Sequence, residues 1–316
     1  MRSSKSASQI LDASQGVREV SPLGQDATRW VSAARPKTLL LAVTPVVTGT
    51  GLAVAQHGRL DATTAIVTLI AAVAIQVGTN LHNDAADFER GNDTADRVGP
   101  PRATAQGWFS PQQVRTAAHL VFLTAFLFGI YLCWHGGWPI LWLGLASLAA
   151  GYAYTSGPRP IAYGPFGEVF VLLFFGLAAV AGSYYLQTLS LSGPSLALGL
   201  ALGLPASAVL LLNNYRDLET DRSAGRRTLC HYLGTHGSRI LYALLLAAPF
   251  PILLLTDLPE GRWAVLAALP LGGVLIARLF RGAQRGELNA MLGATALFQA
   301  ALAVLLLIGL GLPPIA

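Results

Sequence analysis

The sequence predicts an all-α membrane protein, a bundle of nine transmembrane helices with its N-terminus in the cytosol. Three observations predict it. Of 316 residues, 53% are hydrophobic and only 12% charged, about half the charged share of a soluble domain. From Leu39 onward the chain divides into apolar blocks separated by short polar or Gly/Pro-rich punctuation, each long enough at about 1.5 Å per residue to cross about 30 Å of hydrocarbon. When nine spans are threaded from an inside N-terminus, all but Arg59 and Arg262 of the 21 Lys and Arg residues fall on one side, the asymmetry of cytosolic loops.

In chain order, residues 1–28 are rich in Ser, Gln and Ala without an apolar run, and read as a flexible cytosolic tail. Residues 29–316 then form a single transmembrane domain. Its spans cover roughly 38–56, 62–84, 112–134, 138–156, 165–187, 194–214, 239–257, 262–281 and 289–311. The second and sixth spans end in acidic stripes. The spacing Gly199-Leu-Ala-Leu-Gly203 in the sixth reads as close helix packing. Cys133 falls near the outer surface and Cys230 in a cytosolic loop, so the two should not pair.

Composition also excludes function classes. Two cysteines rule out a disulfide scaffold. The formal charge of +5 comes with no Lys/Arg run or basic helix face, which argues against nucleic acid. No Walker loop, nucleotide fingerprint or GxSxG is present, and none of the six histidines has metal-ligand spacing.

Half of the 16 carboxylates occupy two short stretches. The first reads Asn80-Leu-His-Asn83-Asp84-Ala-Ala-Asp87 and continues through Glu89, Asp93 and Asp96. On a helix, Asn80, Asn83, Asp84 and Asp87 share one face. The second reads Asn213-Asn214-Tyr215-Arg216-Asp217-Leu-Glu-Thr-Asp221, with Asn213, Asp217 and Asp221 spaced i, i+4, i+8. Both stripes end apolar helices at the same membrane face, a four-span interval apart, as an internal duplication would place them. Carboxylates there are costly unless they face a wet cavity or a cation. Oxygen-only ligands favour a hard cation, and Mg²⁺ is usually held by one or two carboxylates plus substrate phosphate. The predicted catalytic and metal-binding set is therefore Asn83, Asp84, Asp87, Asp217 and Asp221, clamping a diphosphate between two helices, with Asn80, Asn213 and Asn214 beside it.

Arginines follow each stripe, and guanidinium forks suit phosphate oxygens. Arg97 and Arg102 flank a Gly99-Pro100-Pro101 turn that would hold them in place; Arg222, Arg226 and Arg227 follow the second stripe, where positive-inside bias alone would also put arginines.

From about Ala33 to the C-terminus these residues resemble the UbiA superfamily of intramembrane aromatic prenyltransferases, which implies an all-α bundle of nine transmembrane helices around a central cavity. The family's first motif is NDxxDxxxD; here Asn83, Asp84 and Asp87 match it, while Gly91 replaces the last Asp and Asp93 follows two residues on. That departure, with Asp96-Arg97-Val-Gly99-Pro100-Pro-Arg102, is similar to the branch that uses 1,4-dihydroxy-2-naphthoate. Ala34-Arg35-Pro36-Lys37-Thr38, Tyr152-Ala-Tyr154-Thr155, Gly157-Pro158-Arg159-Pro160, Gly167-Glu168 and Asn213-Asn214-Tyr215-Arg216-Asp217 with Asp221-Arg222 extend the resemblance.

The resemblance implies an Mg²⁺-dependent transfer of a polyprenyl group from its diphosphate to 1,4-dihydroxy-2-naphthoate, with decarboxylation, giving demethylmenaquinone. It implies a bacterial cytoplasmic (inner) membrane protein whose site faces the cytosol, with the lipid bilayer as its surroundings and no obligate protein partner. Metal and guanidinium would neutralise charge on the leaving group, and the allylic cation would need a dry pocket with aromatic faces. Tyr154 and Tyr215 are candidates to line it. A basic residue should hold the acceptor carboxylate, and Arg35, Lys37 and Arg159 remain equivalent at this point. Other readings are transfer to another phenol, such as 4-hydroxybenzoate or homogentisate, or a carboxylate-coupled secondary transporter, which would carry polar residues near mid-bilayer.

Overall fold

The structure, a computed structural model, describes residues 22–91, 99 and 101–311. All regular structure among them is helical: α1 (Pro22–Ala34), α2 (Pro36–His57), α3 (Ala62–Glu89), α4 (Pro111–Gly136), α5 (Trp138–Ala153), α6 (Gly167–Thr188), α7 (Gly193–Arg216), α8 (Leu218–Ser223), α9 (Leu229–Leu255), α10 (Glu260–Phe280) and α11 (Arg285–Gly309). The sequence sets many of these boundaries locally. Asp61, Ser110 and Ser192 accept hydrogen bonds from the backbone N–H three residues on, at 2.9, 3.2 and 3.1 Å, satisfying orphan donors of the first turn. Gly58, at φ 68°, ends α2 in the left-handed conformation a glycine tolerates.

Eight of these helices are long and apolar enough to cross a membrane: α2, α3, α4, α6, α7, α9, α10 and α11. The expected span at 138–156 is the exception, a helix of 16 residues, Trp138–Ala153. The span expected at 239–257 begins earlier, at Leu229, and kinks at Gly234, φ 65°. Residues 22–28, assigned from sequence to the tail, are helical in α1, whose Ala33 is buried and whose Trp30 stacks on Phe109 with ring centroids 4.0 Å apart. Residues 1–21 lie outside the described residues.

Burial divides the bundle. The apolar stretch of α7 is 67% buried against 17% for α4, so α7 is an interior helix and α4 an outer one. Leu198, Leu202 and Leu211 of α7 pack with Tyr242 of α9 and Phe298 of α11 in one closed core. On the other side α6 approaches α7 backbone to backbone: a Cβ on Gly203 would lie 2.9 Å from the Leu172 carbonyl oxygen and 3.0 Å from Gly176 Cα. That is the close packing the glycine spacing predicts. Cys133 of α4 and Cys230 of α9 are both free. Helices α2 to α6 do not close on themselves, and a cavity lies between them.

Candidate functional site

The cavity is about 430 Å³ in volume, and its wall is almost wholly apolar, with Ala42, Ile75, Phe126, Leu148 and Phe174 among its lining. Tyr154, at the end of α5, also lines it and lies within electrostatic reach of Glu168, Arg226, Asp87 and Arg35. The chamber therefore meets a cluster of charged residues at the ring of Tyr154.

That cluster brings the two acidic stripes together. Asp87, 2% exposed near the end of α3, accepts Arg102 Nη2 on Oδ2 at 2.7 Å and Arg226 Nη2 on Oδ1. The Nη1 of Arg226 lies 3.6 Å from Asp221 Oδ1. One guanidinium thus spans the first stripe and the second. The Arg226 side chain lies over the Tyr163 ring, 4.6 Å from its centroid. Burial pushes the Asp221 carboxyl up to about 6, with the charges of Asp217 and Asp87 adding to the shift and Arg226 and Arg216 opposing it. Burial disfavours the charge on Arg226, but Asp87 and Asp221 outweigh it and raise its pKa.

The other predicted residues divide. Asp217 is paired with Arg216, whose Nε and Nη2 reach its two oxygens at 2.7 and 2.5 Å. The same guanidinium donates to Asn213 Oδ1 at 2.9 Å and to Asn289 Oδ1 at 2.7 Å. Asn214 donates to Glu168 Oε1 at 2.9 Å. Asn83 Oδ1 is buried and has no hydrogen-bond partner among the described residues. Arg97, Asp93 and Asp96 lie outside the described residues.

Several predicted residues are bonded to the surrounding frame or lie away from the gap between Asp87 and Asp221. Both carboxylate oxygens of Asp84 are taken by the turn that follows α3: Ala103 N–H donates to Oδ2 at 2.8 Å, Thr104 N–H to Oδ1 at 3.1 Å, and the Thr104 hydroxyl also bonds Oδ1. Thr104 thus fills Oδ1 with two donors, while Oδ2 accepts one and keeps a lone pair. Asn80 donates to the Ala34 carbonyl and to Thr38 Oγ1, both at 3.0 Å, clasping α3 to the junction of α1 and α2. Tyr215 accepts Arg239 Nε at 2.9 Å and packs against the closed core instead of the chamber. Arg222 is exposed.

The three candidates for an acceptor carboxylate also separate. Lys37 and Arg159 are exposed, whereas Arg35 is half-buried and acts on Tyr154. Arg35 holds φ 55° before Pro36, an unusual left-handed conformation for a residue other than glycine; such outliers persist where surrounding structure enforces them.

The sequence pattern named Arg226 only as one of the arginines after the second stripe and Glu168 only within the resemblance, and gave Tyr163 no role. Arg226 follows Gly225, whose φ of 74° turns the chain back toward α3, and nothing in local composition signals that return. Glu168 had a readable signal, a lone acid at the edge of an apolar block.

Among the described residues, no three of His, Cys, Asp or Glu converge to form a metal site of their own. Separate carboxylates with an unpartnered Asn83 oxygen and a cation already between Asp87 and Asp221 do fit a hard divalent ion completed by phosphate oxygens and water.

The family profile described as the UbiA prenyltransferase family matches residues 42–300. The chain is 40% identical over 219 residues to a 1,4-dihydroxy-2-naphthoate octaprenyltransferase of Mycobacterium tuberculosis, covering 69% of this chain and 74% of the relative. It is 36% identical over 252 residues to the enzyme of the same name from Escherichia coli, covering 77% and 82%. Among solved structures, the apo form of a UbiA homolog from Aeropyrum pernix K1 superposes with a TM-score of 0.67 at 16% identity, covering 87% of this chain and 97% of the other. A UbiA homolog from Archaeoglobus fulgidus bound to DMAPP and Mg²⁺ has a TM-score of 0.60 at 14% identity, covering 88% and 99%. These structural likenesses concern the fold.

Proposed function

The chain belongs to the UbiA prenyltransferase family, and on that premise we propose that it transfers a polyprenyl group from its diphosphate to 1,4-dihydroxy-2-naphthoate, releasing carbon dioxide and giving demethylmenaquinone. The observation that carries this reading is the meeting of Asp87 and Asp221 at Arg226, within electrostatic reach of Tyr154 in the wall of an apolar chamber of about 430 Å³. A diphosphate head needs the first and a prenyl chain the second. The acceptor follows from the relatives of that name at 36 to 40% identity.

The residues divide the work. Asp87, Asp217, Asp221 and Asn83 would hold Mg²⁺, which when bound supplies neutralising charge to the departing diphosphate. Arg102 and Arg226 donate to diphosphate oxygens, and Asp84 fixes the turn that carries Arg102. The apolar chamber excludes water from the allylic cation, whose charge the face of Tyr154 stabilises. Arg35 holds the acceptor carboxylate next to that ring. Asn214 orients Glu168.

The protein spans the cytoplasmic membrane nine times, α5 being a short crossing. Trp134, Trp138 and Trp142 are exposed around the α4–α5 turn, opposite the charged end, where an aromatic belt meets the far interface. The charged end faces the cytosol, following the Lys and Arg bias of the loops.

Purified protein in detergent, given labelled prenyl diphosphate, Mg²⁺ and a panel of phenols, tests the reading. Prenylated naphthoquinol is the expected product. Product with hydroxybenzoate alone would remove the acceptor assignment, and no product with any phenol would remove the enzyme reading.

A further inference from the structure

Glu168 opens α6 and is 5% exposed. Its Oε1 accepts Asn214 Nδ2 at 2.9 Å, while Oε2 is buried and has no hydrogen-bond partner among the described residues. Its backbone is fastened to α7: Ser207 Oγ donates to the Glu168 carbonyl at 2.8 Å, and a Cβ on the preceding Gly167 would already touch Leu210 at 3.1 Å. No ion pair to a Lys or Arg accompanies it among the described residues. Glu168 acts electrostatically on Tyr154, which lines the chamber, and its partner Asn214 lies one helical turn before Asp217. Glu168 is therefore tied to the second stripe through Asn214 and acts on the chamber wall through Tyr154.

A carboxyl buried without a cation at membrane depth is costly, and such residues mark function. The bond to Asn214 uses one acceptor oxygen, which a glutamine would supply equally well. What glutamine lacks is the ability to take and return a proton. We propose that Glu168 is the catalytic base that takes the hydroxyl proton of the acceptor ring during carbon–carbon bond formation and returns it after decarboxylation. This deepens the naphthoate prenyltransferase reading and rests on it.

The step balances. The allylic C–O bond breaks with its electron pair leaving on the diphosphate. The carboxylate-bearing ring carbon bonds the allylic carbon, the adjacent hydroxyl becomes a carbonyl, and its proton moves to Glu168. The bond to the carboxylate then breaks, carbon dioxide leaves, and the electron pair restores an aromatic oxyanion. That oxygen takes the proton back from Glu168, which ends as it began.

The test compares the wild-type chain with Glu168→Gln and Glu168→Asp, using labelled prenyl diphosphate, Mg²⁺ and dihydroxynaphthoate. Positioned acid–base groups contribute about 100-fold or more, so Glu168→Gln is expected to lower kcat for prenylated product by at least about 100-fold. Glu168→Asp should recover part of it. Donor KM, thermal midpoint and the Mg²⁺-dependent release of diphosphate without acceptor should remain at wild-type values, because ionisation belongs to the Asp and Arg cluster. A Glu168→Gln variant with wild-type kcat would overturn the proposal, as would one whose donor KM, thermal midpoint or acceptor-free diphosphate release changes alongside kcat, which marks a structural role. If the wild-type chain itself forms no product, the functional reading fails first and takes this inference with it.

Discussion

Arg102 donates to Asp87 across 2.7 Å, and the two side chains are 5% and 2% exposed. This buried pair depends on a third residue. Arg102 reaches back to α3 because Asp84, one turn earlier, accepts the N–H groups of Ala103 and Thr104. Asp84→Asn replaces an acceptor oxygen with an NH₂ that faces a backbone donor, and an unsatisfied buried donor costs about 1–3 kcal/mol. The expected result is a lower thermal midpoint and reduced turnover, with the Mg²⁺ concentration for half-maximal rate unchanged. Asp87→Asn should instead raise that concentration by about 10-fold or more, equivalent to about 1.4 kcal/mol of lost metal binding. An Mg²⁺ titration of both variants distinguishes them: a shift for Asp84→Asn as large as for Asp87→Asn would return Asp84 to the metal.

The helical period made half of the site readable and hid the rest for definable reasons. Asp87 and Asp221 stand where a helix face puts them, and the pairing of two stripes carried enough information to predict that they meet. Asn80 and Asp84 share that face by periodicity, but their partners come from 19 to 46 residues away along the chain: Ala34 and Thr38 for one, Ala103 and Thr104 for the other. No local pattern encodes such a contact. Tyr215 packs on the closed core and Arg222 is exposed for a related reason, since a motif gives residue order and not the rotation of each residue about the helix. Arg226 entered the site because a glycine turn sent it there. The nine apolar blocks were legible because hydrocarbon thickness constrains helix length, although α5 achieves only 16 residues.

In the absence of metal, Arg226 is the cation between Asp87 and Asp221. Arg226→Gln leaves those two carboxylates facing one another in a buried setting, where like charges are mutually destabilising. The metal-free variant should therefore melt below the wild type. Added Mg²⁺ then neutralises repulsion that the wild type does not have, so the rise in thermal midpoint on Mg²⁺ addition should be larger in Arg226→Gln. Thermal unfolding in detergent with and without Mg²⁺ reads both quantities, and equal rises in the two proteins would show that Arg226 and the metal do not share a place.

The chamber can be filled without touching the charged cluster. Gly129 of α4 and Gly144 of α5 both line it, and a Cβ built on either meets no atom within 4 Å. Gly144→Phe therefore adds a ring to empty space instead of forcing helices apart, so the fold and the thermal midpoint should be kept. A donor whose chain extends past the ring loses its place, and binding of each displaced methylene is worth about 0.8 kcal/mol. Loss of two such groups lowers kcat/KM about 10-fold. The expected pattern is a fall of that size or greater for a long polyprenyl diphosphate, with a five-carbon donor unaffected and the Mg²⁺ requirement unchanged. Measuring kcat/KM across donors of increasing length checks it. A uniform loss at every length would mean that the prenyl chain does not occupy this cavity.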